Sequence, residues 1–463
     1  MASTRPEGFR KYLHNTSWMF ADRVVRLGAV FITAIYMARV LGDQLFGQLN
    51  YVSGFVGLFV TLTAMGLDEI VVRDLVRHPE KRDELLGSAA MMKFIGSVIL
   101  ALFVLIGTQV NGMDGFTTML AMVIAAGEAL KPWSVVEYHF QARVEGRLIA
   151  LVNIVQTIAS TGFKLLLCVI VANPGLRDAM AGMGLGFVRS VAESPLSWFA
   201  WSYVVDTGAA AIGYRVAYQR TGLRQKDWKA TRAMMGHLLQ QSWPLIIYGM
   251  ALLVHARIDQ VMIFDVLKDR IGEAAAYAEV GQYSVALKMI EAMGFVPVIL
   301  QKSLAPAITR ARMEDPLKYH DRILNQYRLM FLLFLVISVP LYFIAEPMIT
   351  LLYGEPYRQA GALLALFAIR LLFTNMGVAK SSWITNEGMF KYSLLTAVVG
   401  AAVNIGLNYF LIPPFKAHGA IWATIGSFLV SIFLLDLLTK ETRMNLRAMC
   451  TAIVTFWKLD RVR

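Results

Sequence analysis

The sequence predicts an all-α polytopic membrane protein of about twelve transmembrane helices in two halves of six, and three observations lead there. Apolar runs of roughly twenty residues recur along the whole chain, each long enough to cross a hydrocarbon core as a helix. Charge is scarce: the 463 residues are 57% hydrophobic and 16% charged, with a mean hydropathy of +0.55, where a soluble chain carries about a quarter charged residues. The loops between the runs alternate between rich and poor in Lys and Arg, as loops on opposite sides of a membrane do.

The spans fall near residues 16–41, 47–70, 88–108, 116–138, 148–172, 194–218, 242–265, 277–301, 327–346, 360–379, 391–412 and 419–438. The first follows fifteen polar residues and carries Asp22, Arg23 and Arg26. That is too long and too charged for a cleavable signal, so it reads as a retained helix. Between spans two and three lie Arg73, Arg77, Lys81, Arg82 and Lys93, whereas the next loop, 109–115, has no Lys or Arg. Arg220, Arg224, Lys226, Lys229 and Arg232 separate spans six and seven. Arg310, Arg312, Lys318 and Arg322 follow span eight, and the tail adds Lys440, Arg443, Arg447, Lys458, Arg461 and Arg463. The rich loops and both termini are therefore expected in the cytoplasm. Span six returns to that side, so span seven starts where span one did and the halves form a parallel repeat.

Matched motifs support the repeat. Ser17-Trp18 opens span one and Ser242-Trp243 span seven; Gly47-Gln48 opens span two and Gly281-Gln282 span eight. A basic stretch around His78-Pro79-Glu80-Lys81 answers Asp315-Pro316-Leu317-Lys318. The spacing differs by about ten residues, which a longer loop at 267–276 absorbs. The expected domains are a bundle over 1–219, a linker over 220–241, a bundle over 242–440 and a basic tail over 441–463. The linker mixes bases with Leu223, Trp228, Met234, Met235 and Leu238. It is either a helix lying on the anionic inner leaflet or a solvated loop. The tail from Asn445 to Trp457 has the same character.

Net charge is +12, but the positive-inside bias accounts for much of it, so nucleic acid is not an expected partner. Cys168 and Cys450 make no disulfide framework, the histidines show no metal-binding spacing, and no cofactor is indicated.

The chemistry sits in ionisable residues placed mid-span. The bases are Arg26, Lys131, Lys164, Arg257, Lys288 and Arg370; the acids are Asp22, Glu128, Asp206, Asp259 and Glu291. At about 3 kcal/mol each, facing lipid would cost them on the order of 30 kcal/mol, beyond the roughly 5–15 kcal/mol stability of a domain. They must face a hydrated interior or one another. Asp22 and Arg26, Glu128 and Lys131, Lys288 and Glu291, and His255 and Asp259 are spaced three or four apart and pair on one helix face. Pro132, one residue past Lys131, is placed to kink span four. Arg257 and Asp259 do not face each other, so Arg257 needs a partner on another helix or a ligand. Arg370 and Lys164 have no acid one turn away and are expected to line a cavity, whereas Arg23 snorkels to the interface. Tyr248, Tyr283 and Trp383 either stack on sugars or pack as interface anchors. His139 and His255 read as satisfied by neighbours. The basic interior suits an anionic solute, and the acids suit a coupling cation.

Four stretches carry a family resemblance. The first is Ala38-Arg39-Val40-Leu41-Gly42, with Phe46-Gly47-Gln48-Leu49-Asn50-Tyr51 and Gly66-Leu67-Asp68-Glu69-Ile70-Val71-Val72-Arg73. The second is Arg257-Ile258-Asp259-Gln260-Val261-Met262-Ile263, and the third Val280-Gly281-Gln282-Tyr283-Ser284-Val285-Ala286-Leu287-Lys288. The fourth runs from Tyr392 through Asn404-Ile405-Gly406-Leu407-Asn408 and Ile412-Pro413 to Gly419-Ala420. In this order they resemble the lipid-linked oligosaccharide flippases of bacterial polysaccharide synthesis, within the multidrug/oligosaccharidyl-lipid/polysaccharide exporter superfamily. The resemblance implies two six-helix bundles around a central cavity open alternately to either side. It implies a polyprenyl-diphosphate-linked glycan as substrate, membrane lipids and polysaccharide polymerase machinery as partners, and coupling to H+ or Na+. By position Arg26, Arg257, Lys288 and Arg370, with Lys131 and Lys164, are its candidates for the diphosphate. Asp259 and Glu291, with Glu128 and Asp206, are its candidates for the ion. Only Arg257, Asp259 and Lys288 lie inside the matching stretches.

Two rivals remain open. A multidrug antiporter of the same superfamily would want a more acidic or apolar cavity. A membrane polymerase or ligase would want catalytic residues on a long external loop. The longest such loop expected here, 173–193, is Gly- and Met-rich with only Arg177, Asp178, Arg189 and Glu193, so no enzyme is expected.

Overall fold

The computed structural model of the protein describes residues 5–458, with side chains for Trp18 and from Asp22 onward. Arg461 and Arg463 of the expected tail lie outside the described residues. The described chain is helical throughout, without a strand among the described residues. Nine of its helical stretches are long and apolar enough to cross a membrane. Two of the nine each hold two expected spans. Asp22–Gly57 breaks at Gly42 (φ 72°, ψ 173°), and Phe390–Leu437 breaks at Lys416 (φ 51°). The sixth expected span falls on Pro195–Arg220, which is not among the nine. Ser197, Ser202, Asp206, Thr207 and Arg215 make it more polar than the rest. Each of the twelve expected spans thus lies on helix for most of its length.

The differences have local causes. Helix starts at Arg5, ahead of the expected Thr16. The second span stops early: Met65 and Gly66 take positive φ values (54° and 60°), and a separate helix, Asp68–Arg77, follows. The expected kink at Pro132 is present: helix Gly115–Glu128 gives way to a tight turn, Lys131–Ser134, before Val135–Ala142. The expected loop at 267–276 is absent. Helix Arg232–Ile271 is joined to Glu273–Met293 through Gly272 alone (φ 86°, ψ 153°), the conformation Gly42 takes between the first two spans. Only glycine adopts this φ and ψ at low cost, so the same device joins the first two spans of each half. The segment expected to be external, 173–193, is mostly two short helices, Pro174–Gly182 and Phe187–Glu193.

The chain forms two compact units, one of Met1–Leu41 with Val52–Leu253, the other of Gly42–Tyr51 with Val254–Arg463. In the first, Leu67, Leu75, Leu85, Phe140, Tyr218 and Leu238 belong to one buried cluster. Leu223, Trp228, Met234 and Met235 pack against it, so the apolar side of the linker is spent on this core. Of the two expectations for the linker, a leaflet-bound helix or a solvated loop, neither covers its whole length: residues 221–231 are largely exposed loop, whereas residues 232–241 are the start of the Arg232–Ile271 helix.

In the second unit, Tyr319, Ile323, Tyr327, Met330 and Met376 cluster with Ala448, Met449 and Ala452. The tail is therefore a docked helix, Lys440–Val454, started by a capping box of Thr439 and Thr442. Elsewhere in this unit Gly42–Tyr51 crosses the start of Glu273–Met293 with no side chain between the backbones. A Cβ on Gly47 would lie 1.7 Å from the Tyr277 carbonyl oxygen, and one on Gly281 would lie 2.2 Å from that of Asp43. In lipid, where apolar contact gives helices little reason to associate, such small-residue crossings let dispersion and polar contacts hold them. The two Gly-Gln pairs that marked the repeat are thus the two sides of one crossing. Gln282 extends it, donating to the Pro356 carbonyl at 2.7 Å and to Asp43 at 3.3 Å.

Candidate functional site

In the first unit the interior charges form a polar seam. Arg26 pairs with Asp22 at 3.7 Å, and Lys131 with Glu128 at 2.7 Å, as their spacing predicts. Asn153 donates to Asp22 at 3.2 Å, and the Tyr214 hydroxyl reaches both Asn153 and Glu137 at 3.1 Å. Lys164 lies 5.6 Å from the Tyr203 ring, within electrostatic reach of Asp206, which accepts from Gln156 at 3.1 Å. Lys93, expected with the loop bases, is buried instead; its Nζ donates to Ser134 at 2.9 Å and lies over the Tyr138 ring. Tyr138 in turn donates to Asp68.

The second unit holds an enclosed acid. Asp259 is 3% exposed. Its Oδ2 accepts from the Tyr283 and Thr424 hydroxyls, both at 2.5 Å, and its Oδ1 accepts from Asn408 Nδ2 at 2.6 Å. Asn404, one turn before Asn408, is also fully buried. Asn404 Nδ2 and Asn408 Oδ1 have no hydrogen-bond partner among the described residues. Turning the Asn408 amide over would place its oxygen beside Asp259 Oδ1, giving a cluster of carboxylate, amide and hydroxyl oxygens of the type hard cations take. The expected His255–Asp259 face is kept to this extent: His255 is within electrostatic reach of Asp259, stacks on Phe428 at 4.3 Å, and lies 3.5 Å from Ser427 Oγ.

The cations of this unit are held differently from one another. Arg257 finds its partner on another helix, Glu291, at a loose 3.8 Å with the two side chains 36% and 37% exposed. The expected Lys288–Glu291 pair does not form. Lys288 donates to Asn50 and lies 5.2 Å from the Phe46 ring, because the Gly47–Gly281 crossing brings that segment within reach. Arg370 sits between the rings of Phe367 and Phe428, at 5.6 and 5.4 Å, and its buried Nε has no hydrogen-bond partner among the described residues. Tyr283 and Trp383, considered as sugar platforms, are buried.

Residues 12–311 match the model of a family described as polysaccharide biosynthesis protein. The chain belongs to that family. It is 23% identical over 454 residues to the uncharacterized membrane protein YabM of Bacillus subtilis (strain 168), covering 94% of this chain and 83% of YabM. Its fold is shared with solved transporters. An inward-facing multidrug resistance MATE family transporter of the MOP superfamily superposes with a TM-score of 0.67 at 15% identity, over 92% of this chain and 99% of that one. The lipid II flippase MurJ, in an inward closed conformation, superposes with a TM-score of 0.65 at 13% identity, over 96% and 92%. The fold of this polysaccharide biosynthesis protein is therefore that of two helical bundles.

The shortest and most buried ion pair of the second unit, among the described residues, is not foreseen from the sequence. Lys380 and Asp436, 4% and 0% exposed, meet at 2.5 Å. Asp436 also accepts from Tyr392 and, at 3.0 Å, from Asn445. Lys380 adds a bond of 2.9 Å to the Ile432 carbonyl, which lies in a widened turn, Leu429–Phe433. Lys380 lies one residue past the expected end of span ten and Asp436 near the end of span twelve, where charges read as interfacial. The helix holding Lys380 runs on to Glu387.

Proposed function

We propose that the protein moves polyprenyl-diphosphate-linked oligosaccharides from the cytoplasmic to the outer leaflet of the bacterial inner membrane by alternating access, for polysaccharide synthesis. The observation that carries this reading is the set of loosely committed cations inside spans. Arg257 keeps only a long contact with Glu291, and both are more than a third exposed. Arg370 keeps an unused donor. Exposed to hydrocarbon, such groups would cost several kcal/mol each, so this reading has them face a passing anionic head group rather than lipid. Lysine and arginine there replace the hydration a diphosphate loses with charge-assisted hydrogen bonds, while the prenyl tail stays in lipid. Family membership supports a role in polysaccharide synthesis.

The Asp259 enclosure serves in this reading as the site of the coupling ion, H+ or Na+. A carboxylate with three donors and an amide able to turn over has two states, one satisfied by protein hydrogen bonds and one by a cation. Rocking of the two halves then exposes the head group outside, with both termini in the cytoplasm and the sugar polymerase downstream.

Removal of the protein tests the reading. A deletion strain is expected to accumulate a lipid-linked glycan on the inner leaflet, read by mass spectrometry and by its inaccessibility to external glycosidase. Sensitivity to cationic drugs with no such accumulation would favour the multidrug antiporter reading instead.

A further inference from the structure

Where span six meets the linker, the first unit forms an open pocket of about 640 Å³ lined by Trp133, Arg215, Gln219, Leu223, Arg224, Gln225 and Lys226, its basic residues exposed. None of the mid-span charges lines it, and no acid does. Its three cations have no ion-pair partner among the described residues. The nearest acid in sequence, Asp227, belongs to the turn Gln225–Asp227 but does not line the cavity. Arg215 lies 5.6 Å from the Trp133 ring, a contact that leaves its guanidinium N–H donors available. Gln225 contributes a buried Nε2 with no hydrogen-bond partner, an orphan donor on the wall of the cavity. Trp133 and Trp228 stand 6.2 Å apart, and the Trp228 Nε1 donates to Tyr218 at 3.2 Å. Such half-polar aromatics belong at the headgroup level of a bilayer. The cavity also lies in the size range of small-ligand sites, roughly 300–1,000 Å³.

Three unpaired bases, an orphan amide donor and an aromatic wall at the membrane interface fit one ligand chemistry. We propose that this cavity binds the phosphate of an anionic lipid headgroup. The guanidiniums of Arg215 and Arg224 and the Lys226 ammonium meet the phosphate oxygens, and Gln225 Nε2 gives a further hydrogen bond. Because Arg215 lies near the end of helix Pro195–Arg220 whereas Arg224 and Lys226 lie on the linker, the bound phosphate ties the linker to the end of span six. The proposal does not depend on what the protein transports.

The test uses the full-length protein purified in a neutral detergent. Phosphatidylglycerol, phosphatidylcholine and inorganic phosphate are added in separate arms. Thermal unfolding is followed, and retained lipids are counted by native mass spectrometry. Phosphatidylglycerol is expected to raise the unfolding midpoint and phosphatidylcholine is not. The shift is expected to vanish in R215Q/R224Q/K226Q and to persist in R310Q/K318Q, which removes two bases elsewhere. Each removed cation should weaken lipid retention about fivefold, the equivalent of about 1 kcal/mol per base near an anionic surface. If R215Q disturbs folding, R224Q/K226Q, confined to the exposed linker, is expected to lose retention about 25-fold. A shift produced by inorganic phosphate alone and lost in the triple variant would support phosphate recognition with a soluble ligand as its source. Equal shifts in wild type and triple variant, or equal shifts from both lipids, would overturn the proposal.

Discussion

Replacing Asp259 separates its structural role from its proposed ionic one. In D259A the acceptor is gone, and Tyr283, Asn408 and Thr424 lose their bonds of 2.5, 2.6 and 2.5 Å. Thr424 has a fallback, since its hydroxyl already lies 3.1 Å from the Ala420 carbonyl. Two buried donors are then stranded, at about 1–3 kcal/mol each, so D259A should lose about 2–6 kcal/mol. D259N behaves differently. Its amide oxygen can occupy the Oδ2 position and keep Tyr283 and Thr424. Its nitrogen then faces Asn408, which turns over to offer the oxygen that now has no partner. Neutral bonds replace charged ones at a loss of about 1 kcal/mol each, offset by removing the desolvation cost of a buried charge. D259N should therefore unfold within about 1 kcal/mol of wild type yet fail to support polysaccharide export. The assays are thermal unfolding of the purified full-length protein and polymer production in a deletion strain at matched membrane abundance. If D259N proves as fragile as D259A and still supports full polymer production, the carboxylate is a packing device and its assignment to a coupling ion is wrong.

Two further substitutions probe the frame that holds these groups. K380M leaves Asp436 charged and buried without its partner and should cost about 3–5 kcal/mol; adding D436N should recover more than half of that in the same unfolding assay. G47V should abolish membrane accumulation, because its Cβ would lie 1.7 Å from a carbonyl oxygen, whereas G236A, with nothing within 4 Å, should accumulate normally. Immunoblotting of membranes reads both.

Span placement was legible because length and hydropathy alone constrain it in a bilayer. Charge pairs were legible where both partners are close in sequence, as with Asp22–Arg26 on one helix and Glu128–Lys131 across a helix end. They were not where tertiary contacts compete. Lys288 and Glu291 share a face, yet Asn50 and Phe46 claim the lysine, and Arg257 takes the acid. The Asp259 enclosure was half visible. The acid stood out in an apolar run, but three of its surroundings, Asn404, Asn408 and Thr424, are neutral and far away in sequence. A signal existed: two asparagines one turn apart inside an apolar span are costly to bury unless something uses them. The basic linker misled, because its apolar residues read equally well as a membrane-facing stripe. Only the cluster around Leu238 shows that they face protein.

The central claim is that cations within the spans handle a phosphate-bearing head group during its passage across the bilayer. The most direct measurement is polymer production in a deletion strain carrying R257A or K288A, each shown by immunoblot to reach wild-type membrane abundance. The account predicts little or no polymer and retention of the lipid-linked glycan on the inner leaflet. Full polymer production by both variants would contradict it.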